Sequence, residues 1–324
     1  MRLDRRTFLG AAAAAALLPG PAAAQPIAPP DRELMVPTEG GRLYVRVNGR
    51  LDGQRPPILM IHGGPGGSHA GFLNALPLAE ERGVVLYDQL DSGRSDHPGD
   101  LALWRVPRFV AEVGAVRSAL GLERVHVLGA SWGGTIALEY AARGPSGLAS
   151  TILQSPLIST RSWLADAAAL RRQLPPATQA TLGVCESASP PPAEACEEAT
   201  ALFYRRFNRR RERPAAIQAY VEALPAGLNR RLYETMWGSS EFASTGTLRD
   251  YDGEPLLARL DGERTLFVVG QYDEARPATV ADFASRVPGA SFAVIEDAAH
   301  GIFNDNPEAL LATLERWLRR HDAA

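Results

Sequence analysis

Val125-His126-Val127-Leu128-Gly129-Ala130-Ser131-Trp132-Gly133 is an apolar, partly β-branched run that ends in Gly-x-Ser-x-Gly, and residues 135–142 carry on at helical spacing. That order is strand, sharp turn, helix, with glycines on both sides of the serine so that the backbone can turn tightly. The turn presents the Ser131 hydroxyl at the end of the strand, above the positive end of the following helix. Gly-x-Ser-x-Gly alone is a weak signal, because Gly and Ser are common turn residues. The strand before it and the helix after it make Ser131 a candidate nucleophile.

Outward from this turn, short apolar runs alternate with helical segments. Residues 33–37 and 42–47 read as two strands around the hairpin signal Glu39-Gly40-Gly41. The runs 57–61, 84–87, 125–128 and 149–153 look like strands buried on both faces, with helical spacing at 70–82 and 107–120 between them. From 156 to 246 the rhythm stops. The chain becomes rich in Ala and Arg, broken by Ser189-Pro190-Pro191-Pro192, and reads as a helical cap. The alternation then resumes with strands at 266–269 and 292–295 and helices at 277–286 and 307–320. The expected fold class is α/β, a mostly parallel sheet covered by helices on both faces. Its core is residues 25–155 and 247–324, with the cap at 156–246 inserted between them.

The 324 residues, 45% hydrophobic and 22% charged, suffice for a sizeable core in one or two domains. A net charge of -3 provides no basic field for nucleic acid, and the complete absence of lysine excludes a lysine Schiff base or lysine general base. The N-terminus has Arg2, Arg5 and Arg6, an apolar stretch at 8–18, and Ala22-Ala23-Ala24 before Gln25. This is the layout of a cleaved export signal, 1–24, whose apolar stretch is too short for a bilayer needing roughly 20 residues. Asp4-Arg5-Arg6-Thr7-Phe8-Leu9-Gly10 resembles a twin-arginine signal. The expected location is therefore periplasmic or secreted, the expected export partner is the twin-arginine translocase, and no stable membrane anchor is expected. Cys185 and Cys196 are the only cysteines, without metal-ligand spacing, and are either paired or two small buried hydrophobes.

A serine on such an elbow needs a base and an orienting acid, and in an α/β-hydrolase the chain order is Ser, acid, His. Asp273, in Gly270-Gln271-Tyr272-Asp273, and His300, in Asp297-Ala298-Ala299-His300-Gly301, each follow a strand at the end where sites form. Asp297 is the rival acid, while His69, His97, His126 and His321 occupy polar, terminal or in-strand contexts. Two backbone N–H groups should serve an oxyanion, from Trp132 and from Gly64 in His62-Gly63-Gly64-Pro65-Gly66-Gly67. A phosphate cradle is the alternative use of that loop, but Gly-Lys-Ser/Thr is lacking. His62 reads as a structural hydrogen-bonder. No metal and no organic cofactor is called for.

These residues resemble the prolyl iminopeptidases, with the tricorn-interacting aminopeptidases and related amino-acid amidases. The motifs are His62-Gly63-Gly64-Pro65-Gly66, Tyr87-Asp88-Gln89 leading to Ser92-Gly93-Arg94-Ser95, Gly129-Ala130-Ser131-Trp132-Gly133-Gly134-Thr135, Met236-Trp237-Gly238-Ser239-Ser240-Glu241-Phe242, and Gly270-Gln271-Tyr272-Asp273-Glu274. The resemblance spans essentially the whole mature chain. It implies a serine aminopeptidase or amidase that takes a small peptide or aminoacyl amide with an unblocked N-terminal residue, often proline, whose amine is held by acidic cap residues. Glu241 stands where the motif places one such glutamate. Glu212, after Phe203-Tyr204 and among Arg209, Arg210, Arg211 and Arg213, is a looser candidate that an exposed, solvated charge would also explain. Asp91, where the pattern has glycine, and Ser239, where it has proline, are departures that bear on the substrate pocket. The rival functions are an esterase or lactonase of the same fold, and a non-catalytic binding protein on this scaffold. Epoxide and haloalkane hydrolases carry a carboxylate where this chain has Ser131.

Overall fold

A computed structural model of the chain describes residues 27–185 and 192–323; the export-like segment 1–24 lies outside the described residues. Eight strands form one sheet in the order β1-β2-β4-β3-β5-β6-β7-β8. They are β1 (Arg32–Thr38), β2 (Gly41–Asn48), β3 (Ile58–Ile61), β4 (Val84–Tyr87), β5 (Val125–Ala130), β6 (Leu148–Gln154), β7 (Thr265–Gly270) and β8 (Ser291–Ile295). The β1–β2 hairpin and the β2–β4 pairing are antiparallel, and every later pairing is parallel. The α/β expectation therefore holds, with an antiparallel start.

The four apolar residues of β3 show why such runs lack alternation. Leu59 and Ile61 pack into one core with Phe109 and Val113 of α1 (Val106–Leu120) and Ile136 and Leu138 of α2 (Trp132–Ala141). Ile58 and Met60 face the opposite core, with Phe72 and with Leu310, Leu314 and Trp317 of the helix Pro307–His321. Both faces are covered, so each side chain contributes roughly 1.5–3 kcal/mol of burial. One segment differs in kind from its expected form. His69–Glu80 is a 3-10 helix with Pro77 inside it, and a residue without an N–H interrupts the i→i−4 ladder of an α-helix.

Between β6 and β7 lie α3 (Thr160–Arg171), α4 (Pro176–Cys185), α5 (Ala193–Phe207), α6 (Ala215–Glu222) and α7 (Arg230–Met236). Leu170, Leu174, Leu182, Ala199, Phe203 and Phe207 give this helical insertion a small core of its own. Cys185 and Cys196 are joined by a disulfide, S–S 2.08 Å, linking the end of α4 to α5. Among the described residues, no helix is long and apolar enough to cross a membrane.

Candidate active site

Ser131 sits between β5 and α2 with φ 56° and ψ −122°. Such a backbone costs a non-glycine residue roughly 1–3 kcal/mol and persists only where its surroundings hold it. Here the Ser131 N–H donates to the Gln154 carbonyl (3.0 Å), and its own carbonyl accepts from Gly134 (2.8 Å) and Leu157 (3.1 Å). The bend also needs bare backbone on either side. A Cβ on Gly129 would lie 2.1 Å from the Gly133 carbonyl, and one on Gly133 would lie 2.0 Å from the Ile61 carbonyl. The helix begins at once, at Trp132 rather than Thr135, which leaves the Trp132 N–H without an intrahelical acceptor. The Trp132 side chain turns away into the core, where its indole N–H donates to Gln89 Oε1 (2.9 Å).

Asp273 and His300 follow β7 and β8, two neighbouring strands, and meet at their carboxyl ends. His300 Nδ1 lies 2.8 Å from Asp273 Oδ1. The carboxylate is buried and also accepts from the Ser155 hydroxyl and from the N–H groups of Gly270 (3.1 Å) and Ala275 (2.9 Å). These donors fix its orientation, and an acceptor at Nδ1 leaves Nε2 as the free basic atom of a neutral ring. Trp163 packs edge-on against that ring, with centroids 5.5 Å apart. Asp297, the rival acid, is exposed and makes its turn through a backbone bond to Gln271 Oε1.

Ser131, His300, Gly64, Glu241 and Glu274 all line one cavity of about 380 Å³. His62 also borders it but is engaged in structure. Its Nδ1 pairs with the Gly63 carbonyl (2.8 Å), its Nε2 accepts from the Gln89 N–H (3.1 Å), and burial lowers its pKa, so the ring stays neutral.

Glu241 is carried on the loop after α7. Phe242 anchors that loop edge-on to Phe203 (4.6 Å), and the Tyr233 hydroxyl donates to Glu241 Oε1. Glu212 is exposed and is not among the residues lining the cavity. Asp305 accepts from the N–H groups of Arg210 and Arg211, and holds the backbone just before Glu212 against the surface instead. The second carboxylate in the cavity is Glu274, the residue directly after Asp273. Its side chain is buried, with Oε1 accepting from Asn208 Nδ2 (2.6 Å) and standing 3.7 Å from His300 Nε2, while Oε2 has no hydrogen-bond partner among the described residues. Sequence reasoning passed over it because the available signal was only adjacency, an acid next to the candidate triad acid at a strand end.

Burial pushes the carboxyl pKa of both glutamates up, and repulsion from Glu241 raises Glu274 further. Burial alone would lower the His300 pKa, but the carboxylates of Asp273, Glu274 and Glu241 outweigh it and lift it to about 9. The site therefore gathers three carboxyl groups around one imidazole, and each of them favours the protonated ring.

The two departures from the family pattern lie outside the cavity. Asp91 takes a left-handed backbone, φ 62°, where glycine is the easier residue. Its carboxylate offsets that strain by accepting from Gly99 N–H and Trp104 Nε1 (both 2.8 Å), and its carbonyl accepts from Asn229 of the insertion. Ser239 is exposed. Among the described residues, no group of three or more His, Cys, Asp or Glu side chains is placed to hold a metal ion.

Residues 56–307 match the family model described as the alpha/beta hydrolase fold. A proline iminopeptidase of Heyndrickxia coagulans is 37% identical over 268 residues, covering 82% of this chain and 92% of the relative. The crystal structure of a proline iminopeptidase from Mycobacterium smegmatis superposes with a TM-score of 0.79 at 34% identity, over 90% of this chain and 99% of that one. The crystal structure of VinJ superposes with a TM-score of 0.83 at 33% identity, over 90% of this chain and all of that one.

Proposed function

Since the chain belongs to the proline iminopeptidase family of α/β-hydrolases, we propose that it removes an unblocked N-terminal residue, proline or another small one, from short peptides or aminoacyl amides. The observation that carries this reading is the pair of carboxylates, Glu241 and Glu274, lining the same cavity as Ser131, with Glu274 standing on the Nε2 side of His300. Two acids that repel each other in one cavity, one of them buried and with an oxygen that nothing among the described residues satisfies, are poorly matched until a cation arrives. A free α-ammonium is that cation, and carries two donors in proline and three in other residues to share between them.

In the proposed reaction Ser131 Oγ attacks the carbonyl carbon while His300 Nε2 takes its proton. Asp273 holds the tautomer and stabilises the imidazolium. The oxyanion lies between the N–H groups of Gly64 and Trp132. His300 then protonates the departing amine, and water hydrolyses the Ser131 acyl-enzyme by the reverse sequence. The same charges tune the base. With the cavity empty a ring of pKa about 9 is mostly protonated at neutral pH, and a bound ammonium neutralises the glutamates and lowers that value toward the working range. The amine thus switches the base on as it binds.

Comparing prolyl amide with its N-acetyl form tests the reading. The free amine should be favoured by roughly 2–4 kcal/mol in kcat/KM, the range for truncating a buried charge contact. Equal rates on both, with good activity on simple esters, would instead make the chain an esterase of this fold. We further propose that residues 1–24 direct export through the twin-arginine translocase to the periplasm or medium. The Cys185–Cys196 disulfide supports that location, because such bonds persist in oxidising compartments.

A further inference from the structure

Four arginines crowd residues 209–213, and they do not share one role. Arg210 stacks its guanidinium over the Tyr272 ring (4.0 Å to the centroid), and Arg211 is exposed. Arg209 and Arg213 line the cavity that holds Ser131, Glu241 and Glu274. Both are half-buried, and among the described residues neither forms an ion pair. The Arg213 guanidinium has one long contact, 3.5 Å, to the neutral Gln218 amide oxygen. Asp305 favours the charged form of Arg209 without pairing with it, and its oxygens accept from the backbone N–H groups of Arg210, Arg211 and Ala299. Two cations thus line one cavity with no ion pair of their own among the described residues, although Glu241 and Glu274 line it too.

Their position relative to the chemistry is also informative. Arg209 lies against Gly301, the residue after His300: a Cβ there would meet Arg209 Cγ and Nε at 3.8 Å. In the proposed mechanism His300 hands its proton to the leaving group, so this flank belongs to the departing part of the substrate. Taking the proposed aminopeptidase reading as its basis, we propose that Arg209 and Arg213 form a subsite for the free C-terminal carboxylate, which makes dipeptides and tripeptides the preferred substrates. The ligand is then a zwitterion whose ammonium meets the glutamates and whose carboxylate meets the guanidiniums. Two extended residues span only about 7 Å, and 380 Å³ is near the small end of ligand cavities, roughly 300–1,000 Å³, so the two ends of a short peptide fit one such space. Burial lowers the pKa of both arginines; Asp305 offsets part of this at Arg209, whereas Arg209 lowers that of Arg213 further.

The test compares kcat/KM for prolylglycine and prolylglycinamide, which differ only in the terminal carboxylate, in the mature enzyme and in Arg209→Gln and Arg213→Gln. A charge-assisted contact worth a buried pair predicts that the wild type favours the free acid by about tenfold to a hundredfold. Each substitution should bring that ratio close to one. Equal rates in the wild type would overturn the carboxylate subsite while leaving the aminopeptidase reading intact. An unchanged preference in both variants would overturn it too, because the preference would then arise elsewhere. Failure to cleave either peptide, with brisk ester hydrolysis, would remove the proposed function and this inference together. The wild-type ratio needs no variant, so a substitution that fails to fold does not spare the inference.

Discussion

Glu274→Gln should push two activities of the same enzyme in opposite directions. The Glu274 carboxylate stands 3.7 Å from His300 Nε2, the atom that must be unprotonated to act as a base. A full charge at that distance, with an effective dielectric near 20, favours the protonated ring by about 4–5 kcal/mol, or about three pKa units. Glu274 carries only part of that charge, since burial and Glu241 push its own pKa up. A drop in the His300 pKa of about one to two units is the corresponding expectation. The sign is unambiguous, because removing a neighbouring negative charge favours the neutral ring. Starting from about 9, a fall of about one unit raises the neutral fraction at pH 7 from roughly 1% to roughly 10%. Hydrolysis of p-nitrophenyl acetate, which carries no amine, should therefore speed up about tenfold at pH 7. The ascending limb of its kcat/KM profile should shift to lower pH by a similar margin. Cleavage of prolyl amide should fall by roughly 2–4 kcal/mol in kcat/KM, because its ammonium has lost one of two acceptors. Parallel losses on both substrates would refute the reasoning and leave Glu274 a structural residue. So would an ascending limb that stays at about 9 or moves upward.

Ser131→Ala should leave the fold intact and lower kcat by about 10⁴-fold or more, measured on either substrate with circular dichroism as the folding control. Asp273→Asn should cost a similar factor through the wrong His300 tautomer, whereas Asp297→Asn, at an exposed position, should change kcat little; the reverse ranking would reassign the acid. Replacing Arg5 and Arg6 together by Lys should strand the precursor in the cytoplasm, and the exported wild type should begin at Gln25. Cell fractionation with N-terminal sequencing reads both, and unaltered export of the double variant would reject a twin-arginine signal.

How much was legible beforehand differs between elements for definite reasons. The runs 57–61 and 84–87 resolved cleanly as β3 and β4 because a strand buried on both faces must be apolar at every position. Phe292-Ala293-Val294-Ile295 looks the same in sequence, but β8 is the last strand of the sheet, and Phe292 and Val294 are exposed. Strand order decides that, and no local pattern carries strand order. Segment 70–82 showed helical spacing, yet the effect of Pro77 on the type of helix is a matter of backbone hydrogen bonding that a hydrophobic period does not register.

The elbow at Ser131 and the candidates Asp273 and His300 are legible along the chain because these features are local: glycines where no Cβ fits, and an acid and a histidine each just past a strand. Glu241 is legible there too, through a motif. Which charges share the cavity depends on the folded chain. Glu212 and Arg213 are adjacent in the chain, yet the glutamate faces solvent while the arginine lines the cavity. Glu274, 33 positions beyond Glu241 in the numbering, is close enough to repel it. Electrostatic interaction depends on distance and burial in three dimensions. Both are set here by where the helices between β6 and β7 come to rest on the carboxyl ends of the strands, and nothing in the order of residues along the chain specifies that distance.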